Sequence, residues 1–407
     1  MEMHEFILSL LIILVSARIF AEIFSYLKIP PVLGEVFAGI LIGPSILGIV
    51  EVNEIIKIIA EIGIILLLFE VGLETDLKKL QKEGTKSVIV ALFGAIVPFG
   101  LGFAVSFYMF NLPLIVSLFI GGTLTATSIG ITVRVLKDLG KERTSLAQIV
   151  VGAAVLDDVI GVILLVILAD FALTGEVNIE NTIRIIILVA LFFATAPVLA
   201  AIMSKFIHVY DRRYRRVPGF IPTIIISLIL FFAYVAHLFG APEIIGAFAA
   251  GIALSRRFFL PFGIALKADP HFVEKLETQM RPLIFLFTPV FFVTVGLSMN
   301  LREIDFSSLT FWLLTSVLII VAVFGKVGGA YLLKNMNGLK KLILGTSMVP
   351  RGEVGLIFAE LGRSAKIFTN EIYSAVVFVV IITTLLPPFL LKYLFRLEEN
   401  REKEEKS

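Results

Sequence analysis

Apolar runs such as 87–107 and 310–333 exceed the roughly 20 residues that carry a helix across about 30 Å of hydrocarbon. In lipid every backbone N–H and C=O must find a partner within the protein, so only helices or closed barrels span, and these runs lack the alternation of barrel strands. An all-α membrane protein is therefore expected. Charged residues are 17% of the 407 and apolar residues 58%, against roughly 25% charged in an ordinary soluble domain, which fits lipid as the main solvent. The formal net charge of +2 does not point to nucleic acid, because the basic residues fall in the loops between runs, where membrane orientation accounts for them. With no cysteine, disulfides, thiol catalysis and cysteine metal sites are excluded. Glu2 and Glu5 stand where a signal peptide carries basic residues, so the first run reads as a permanent span.

Apolar windows bounded by charges, Pro or Gly predict thirteen spans, at about 6–27, 31–50, 55–73, 87–108, 113–135, 145–172, 182–207, 220–239, 242–256, 277–298, 308–333, 341–362 and 370–394. Lys and Arg concentrate on the cytoplasmic side of short loops. Under this count one side holds twenty-seven basic residues, the other five. A miscounted span would exchange all later loops and erase that bias. The reading is a multi-pass protein of the cell (inner or plasma) membrane, with the N-terminus outside and the C-terminus cytoplasmic. It is one transmembrane unit, 1–395, followed by a short charged tail, 396–407. Three basic residues remain inside spans: Arg18, Lys326 and Arg351.

The first half of the chain resembles the second. Pro30, Gly34, Gly39 and Ile40 match Pro242, Gly246, Gly251 and Ile252 at one constant offset; Val71-Gly72-Leu73 matches Val295-Gly296-Leu297, and Gly122-Thr123 matches Gly345-Thr346, at offsets slightly larger. Spans 2, 3 and 5 thus pair with spans 9, 10 and 12. A constant offset of seven spans is odd, so spans 1–6 and 8–13 form an inverted repeat, with span 7 as linker. Such repeats mark secondary transporters, whose midplane sites lie on paired, interrupted helices. Span 5 reads Gly121-Gly122-Thr123-Leu124-Thr125-Ala126-Thr127-Ser128-Ile129-Gly130, and span 12 reads Gly345-Thr346-Ser347-Met348-Val349-Pro350-Arg351-Gly352-Glu353. Small residues can simply permit close helix packing. Their occurrence at equivalent positions favours two discontinuous helices that cross, whose half-helix dipoles can face charges.

Asp157 and Asp158 stand at the centre of span 6 with apolar residues on both sides. Each charge at bilayer centre costs roughly 2.5–3.5 kcal/mol, and two neighbouring carboxylates cannot both stay ionised without a cation nearby. Consecutive helix positions diverge by about 100°, so one acid can meet a fixed cation while the other faces a cavity. Lys326, deep in span 11, is the candidate fixed cation. A purely structural bridge would need only one of the two acids. Arg351 and Glu353 on span 12 can pair with each other, hold the broken helix or contact the ion. Arg18 and Glu22 have i,i+4 spacing and read as a local pair.

These residues resemble the sodium/proton antiporter branch of the monovalent cation:proton antiporter superfamily. Thr125-Ala126-Thr127-Ser128-Ile129-Gly130-Ile131-Thr132 looks like its discontinuous helix, Leu156-Asp157-Asp158 like its paired-aspartate motif, Gly325-Lys326 like its membrane lysine, and Pro350-Arg351-Gly352-Glu353-Val354-Gly355 like its second broken helix. The resemblance implies Asp158 as principal Na⁺ ligand, Asp157 as the partner of Lys326, and Thr127 and Ser128 as nearby helpers. Thr125, Arg351 and Glu353 are supporting candidates. It also implies a homodimer, with a mobile core domain from about spans 3–6 and 10–13 and an interface domain from the rest.

The expected activity is exchange of Na⁺ or Li⁺ for H⁺ by competition at one site, electrogenic if two protons move per cation, with a role in pH homeostasis. A K⁺/H⁺ antiporter on the same scaffold is the alternative. No nucleotide-binding motif is present, so the energy comes from an ion gradient, and no cofactor is expected beyond the transported ions. A channel fits the buried titratable pair and inverted repeat less well. An intramembrane aspartyl protease needs aspartates on two different helices and has no use for Lys326, so no enzyme is expected.

Overall fold

A computed structural model describes residues 3–74, 77–174, 179–180, 182–192, 195–196, 199, 202, 220–254, 270–304, 306–334 and 336–404. Among them there is no strand. The helices are α1 (Met3–Tyr26), α2 (Pro31–Ile42), α3 (Glu54–Glu74), α4 (Leu77–Ala104, ending in a π-helical turn, Val105–Met109), α5 (Leu114–Thr125), α6 (Ile129–Asp138) and α7 (Ser145–Thr174). They continue with α8 (Thr182–Phe192), α9 (Phe220–Leu238), α10 (Glu243–Leu254), α11 (Pro270–Leu297), α12 (Leu309–Tyr331), α13 (Gly338–Ser347), α14 (Gly352–Ser364) and α15 (Asn370–Glu404). Among the described residues, eight helical stretches are long and apolar enough to cross a membrane, while α2, α8 and Glu243–Ile252 are apolar but shorter.

Local chemistry sets the helix starts. Pro31 opens α2, where its missing N–H costs nothing. Ser308 Oγ accepts from Phe311 N–H at the start of α12, and Asn337 Oδ1 accepts from Leu339 N–H at the start of α13, each satisfying an otherwise orphan amide. Spans 5 and 12 each divide into two half-helices, interrupted at 126–128 and at 348–351.

Several helix boundaries differ from the sequence reading. The helix predicted over 31–50 stops at Ile42, before Gly43-Pro44, and the chain beyond it is tied down: Ser45 Oγ donates to Met299 O and accepts from Leu301 N–H at 3.1 Å. The helix predicted to end at 394 runs on to Glu404, and in this extension Glu398 and Glu399 pair with Lys340 at 3.5 Å and Lys141 at 2.6 Å. Of the span predicted over 182–207, most of 193–207 lies outside the described residues, as does the basic cluster that follows it.

The chain divides into two compact units, Met1–Asn53 with Gly84–Asn178 and Phe292–Ser407, and Glu54–Glu83 with Ile179–Phe291. Within the first, the α1–α2 turn puts Lys28 at φ 59°, with Lys28 N–H on Ser25 O and Ile29 N–H on Phe24 O, both at 2.8 Å. A Cβ on Gly34 would lie 2.3 Å from Phe20 O. Within the second, the α9–α10 turn puts Gly240 at φ 75°, with Gly240 N–H on His237 O and Ala241 N–H on Ala236 O, both at 2.9 Å. A Cβ on Gly246 would lie 2.1 Å from Phe232 O. Lys28 and Gly240, Ile29 and Ala241, Gly34 and Gly246, and Phe20 and Phe232 all stand in the sequence register that carries Pro30 onto Pro242.

Close helix crossings recur in the same way. Gly39 on α2 packs against Val293 O and Gly296 on α11, and Gly251 on α10 packs against Phe69 O and Gly72 on α3. A second register, which carries Gly140 onto Lys366, links the turns that follow α6 and α14. Gly140 and Lys366 have φ 67° and 57°, and their N–H groups donate to Lys137 O and Arg363 O, both at 2.9 Å.

Candidate ion-binding site

The site is built in the first unit, from α7, α12 and the two interrupted helices. Asp157 and Asp158 lie midway along α7. The step of about 100° between neighbours on a helix separates their environments. Lys326 Nζ donates to Asp157 Oδ1 and Oδ2, at 3.0 Å each, and neither side chain has any exposure. The lysine stem passes Gly94 on α4, where a Cβ would sit 3.4 Å from Lys326 Cδ. Asp158 is 7% exposed and also interacts electrostatically with Lys326. One acid is thus locked to a fixed cation by a charge-assisted pair, while its neighbour keeps a small exposed surface.

The interruptions form a second set of charges. Span 5 unwinds at Ala126-Thr127-Ser128 and span 12 at Met348-Val349-Pro350-Arg351. The two unwound segments bond to each other. Ser128 N–H donates to Pro350 O at 2.8 Å, Thr127 Oγ1 to Met348 O at 3.1 Å, and Thr132 Oγ1 to Ser347 O at 2.7 Å. Arg351 is wholly buried; its guanidinium donates to Ala126 O at 2.8 Å, to Met348 O at 3.5 Å and to Ala322 O at 3.3 Å. Ala126 and Met348 terminate α5 and α13, so the guanidinium lies against the negative ends of two half-helix dipoles. It also lies in the electrostatic field of Asp157. These hydrogen bonds tie the guanidinium to the ends of both interrupted helices and to α12.

The other candidates distribute as follows. Thr127 and Ser128 sit at the crossing, almost wholly buried. Thr125 Oγ1 instead donates to Gly121 O at 3.0 Å and Ala95 O at 3.3 Å, stitching α5 to α4. The side chain of Glu353 lies outside the described residues. Among the described residues no group of three or more His, Asp or Glu is arranged to hold a resident metal ion.

A further buried charge network escapes the sequence reading. Arg134 lies on α6 and is 14% exposed. Its guanidinium reaches Glu35 Oε1 on α2 at 3.4 Å and Asp138 Oδ1 at 3.1 Å, and Asp138 Oδ2 accepts from Val32 N–H at 3.3 Å. Glu35, 1% exposed, was detectable as a lone acid early in an apolar run. Arg134 and Asp138 look in sequence like ordinary charges at a helix end.

Comparison with known proteins places this geometry in a lineage. The family of transmembrane sodium/hydrogen exchangers matches residues 9–396. The high-affinity Na(+)/H(+) antiporter NhaS3 of Synechocystis is 32% identical, over 98% of this chain and 92% of its own length. The Na(+)/H(+)-K(+) antiporter GerN of Bacillus cereus is 34% identical, over 99% of each chain. In three dimensions the chain is similar to the sodium proton antiporter MjNhaP1 of Methanocaldococcus jannaschii, with a TM-score of 0.69 at 18% identity, covering 95% of this chain and 96% of that one. The relatives are transporters, not enzymes. A family match across nearly the whole length, joined to the aspartate pair, the buried lysine and the two interrupted helices, makes this chain a member of the sodium/hydrogen exchanger family.

Proposed function

We propose that the protein is a secondary antiporter that exchanges Na⁺, or Li⁺, for H⁺, with the two ions competing for Asp158 and Asp157. The observation that carries the reading is the division of labour on α7. Asp157 is held by Lys326 at 3.0 Å, and Asp158 stands beside it with a small exposed surface. A cation arriving at Asp158, with Thr127 and Ser128 as nearby helpers, draws Asp157 away from Lys326. Proton loss from a carboxylate or from the ammonium then balances the charge. If two protons cross per cation, one net charge moves per cycle, worth about 2.3 kcal/mol per 100 mV, and the membrane potential drives Na⁺ out.

The proposed architecture has thirteen spans in two inverted halves, the N-terminus outside and the C-terminus cytoplasmic. The turn and glycine contacts that recur between Lys28 and Gly240, Gly34 and Gly246, and Gly140 and Lys366 support the internal repeat. In a homodimer within the cell membrane, a core from about spans 3–6 and 10–13 moves against the remaining helices. This arrangement serves pH homeostasis.

K⁺ as the transported cation is a second reading, favoured by the K(+) in the name of the Bacillus cereus relative. The test is Na⁺-, Li⁺- and K⁺-dependent proton movement by the purified protein in liposomes, with Asp158→Asn alongside. Cation-dependent proton flux retained by Asp158→Asn would reject the site. A K⁺ response matching that to Na⁺ would favour the second reading.

A further inference from the structure

The register that carries Gly140 onto Lys366, and so relates the turns after α6 and α14, also carries Leu156-Asp157-Asp158-Val159-Ile160 of α7 onto Ile382-Thr383-Thr384-Leu385-Leu386 of α15. Where the first half carries two acids, the second carries two buried hydroxyls. They too are divided in use. Thr383 Oγ1 donates within its own helix, to Val379 O at 2.7 Å and Val380 O at 3.2 Å. Thr384 Oγ1 instead accepts from Gly352 N–H at 3.0 Å.

Gly352 is the first residue of α14, so its N–H is one of the amides a helix start leaves without an internal partner. A side chain from α15 supplies that partner. Gly352 has φ 48°, a left-handed conformation that glycine adopts without strain. It abuts the other crossing segment so closely that a Cβ there would lie 2.7 Å from both Cβ and Oγ of Ser128. On the other side of the interruption Ser128 N–H is bonded to Pro350 O at 2.8 Å. Displacing the start of α14 therefore displaces Ser128, and Arg351 lies between the two bonded points.

We infer that Thr384 is a positioning residue for the cation site: it fixes the start of α14 and, through Gly352, the placement of Ser128 at the helix crossing. It caps the half-helix in the second half without adding carboxylates to compete with Asp157 and Asp158. The inference rests on the proposed antiport at Asp158.

The test compares Thr384→Val, which keeps the shape and removes the acceptor, with Thr384→Ser, which keeps the acceptor, in liposomes with Na⁺-driven proton efflux as readout. Loss of one hydrogen bond's worth of positioning predicts a Na⁺ KM raised about fivefold in Thr384→Val with kcat within about twofold, and Thr384→Ser within about twofold of the parent in both. A Thr384→Val protein with the parent KM overturns the inference, as does a Thr384→Ser protein as impaired as Thr384→Val. If Thr384→Val does not fold, Thr384→Ala takes its place; failure of both to fold, with Thr384→Ser intact, also overturns it in favour of a purely structural cap. Asp158→Asn run in parallel separates the two readings. If it keeps its Na⁺-dependent flux, the cation site itself is wrong; if it is silent while Thr384→Val behaves as the parent, only the role of Thr384 fails.

Discussion

Replacing Lys326 by Met is the sharpest test of the charge arithmetic at this site. The ammonium contacts both oxygens of Asp157 at 3.0 Å, and both side chains have zero exposure, so solvent cannot screen the pair. At that separation an effective dielectric of about 20 gives roughly 5 kcal/mol of attraction, most of it offset in the intact protein by the desolvation of two charges. Removing one partner removes the attraction but not the burial of the other, which typically costs about 3–5 kcal/mol. Arg351 remains within the field of Asp157 and pulls the expected loss to the lower end, about 3 kcal/mol. Removing both charges in Asp157→Asn/Lys326→Met eliminates the uncompensated carboxylate. The double variant should therefore regain at least about 2 kcal/mol over Lys326→Met. The assay is reversible unfolding in mixed micelles, read as a double-mutant cycle. A loss below about 1 kcal/mol in Lys326→Met, or a double variant no more stable than the single, refutes the reasoning.

Gly325→Ala places a Cβ 2.9 Å from Pro98 Cγ and 3.1 Å from Pro98 Cα, so α12 must shift beside Lys326; the same unfolding assay should show a loss of about 1–3 kcal/mol. Arg134→Gln strips the charge that Glu35 and Asp138 share across α2 and α6 and should cost about 2–4 kcal/mol, mostly recovered by adding Glu35→Gln, in the same cycle format. Glu399→Gln breaks a pair with Lys141 in which the carboxylate is half exposed, and should change stability by less than about 1 kcal/mol, an effect that salt at about 1 M erases.

Much of this fold was legible because lipid removes alternatives. The apolar runs, the Gly-rich interruptions and the two acids on one helix each had few structural explanations, and α7, α12 and the two broken helices lie where those signals put them. What escaped was information about partners. Thr125 reads as part of the candidate ion loop, yet its hydroxyl turns to Ala95 O and Gly121 O, a choice set by which neighbour α5 happens to face. Glu35 lies far from Arg134 and Asp138 in the chain, and the three meet only because α2 packs on α6. Helix ends failed where contacts distant in sequence accompany them: Ser45 ties the chain beyond α2 to the segment after α11, and acid–lysine pairs line α15 past its apolar run.

Arg351 shows how far the chemistry of the crossing depends on its asymmetry. Two half-helices end with carbonyls directed at this arginine, while two others begin nearby, one of them capped by Thr384. Carbonyl ends need a cation and amide ends need oxygen; at the crossing Arg351 meets the first need and Thr384, at the start of α14, the second. Lysine at position 351 would keep the charge but could not fork to two carbonyls from a single planar group. The guanidinium thus meets two helix ends while it also stands in the field of Asp157, so that acid faces Lys326 and Arg351 together.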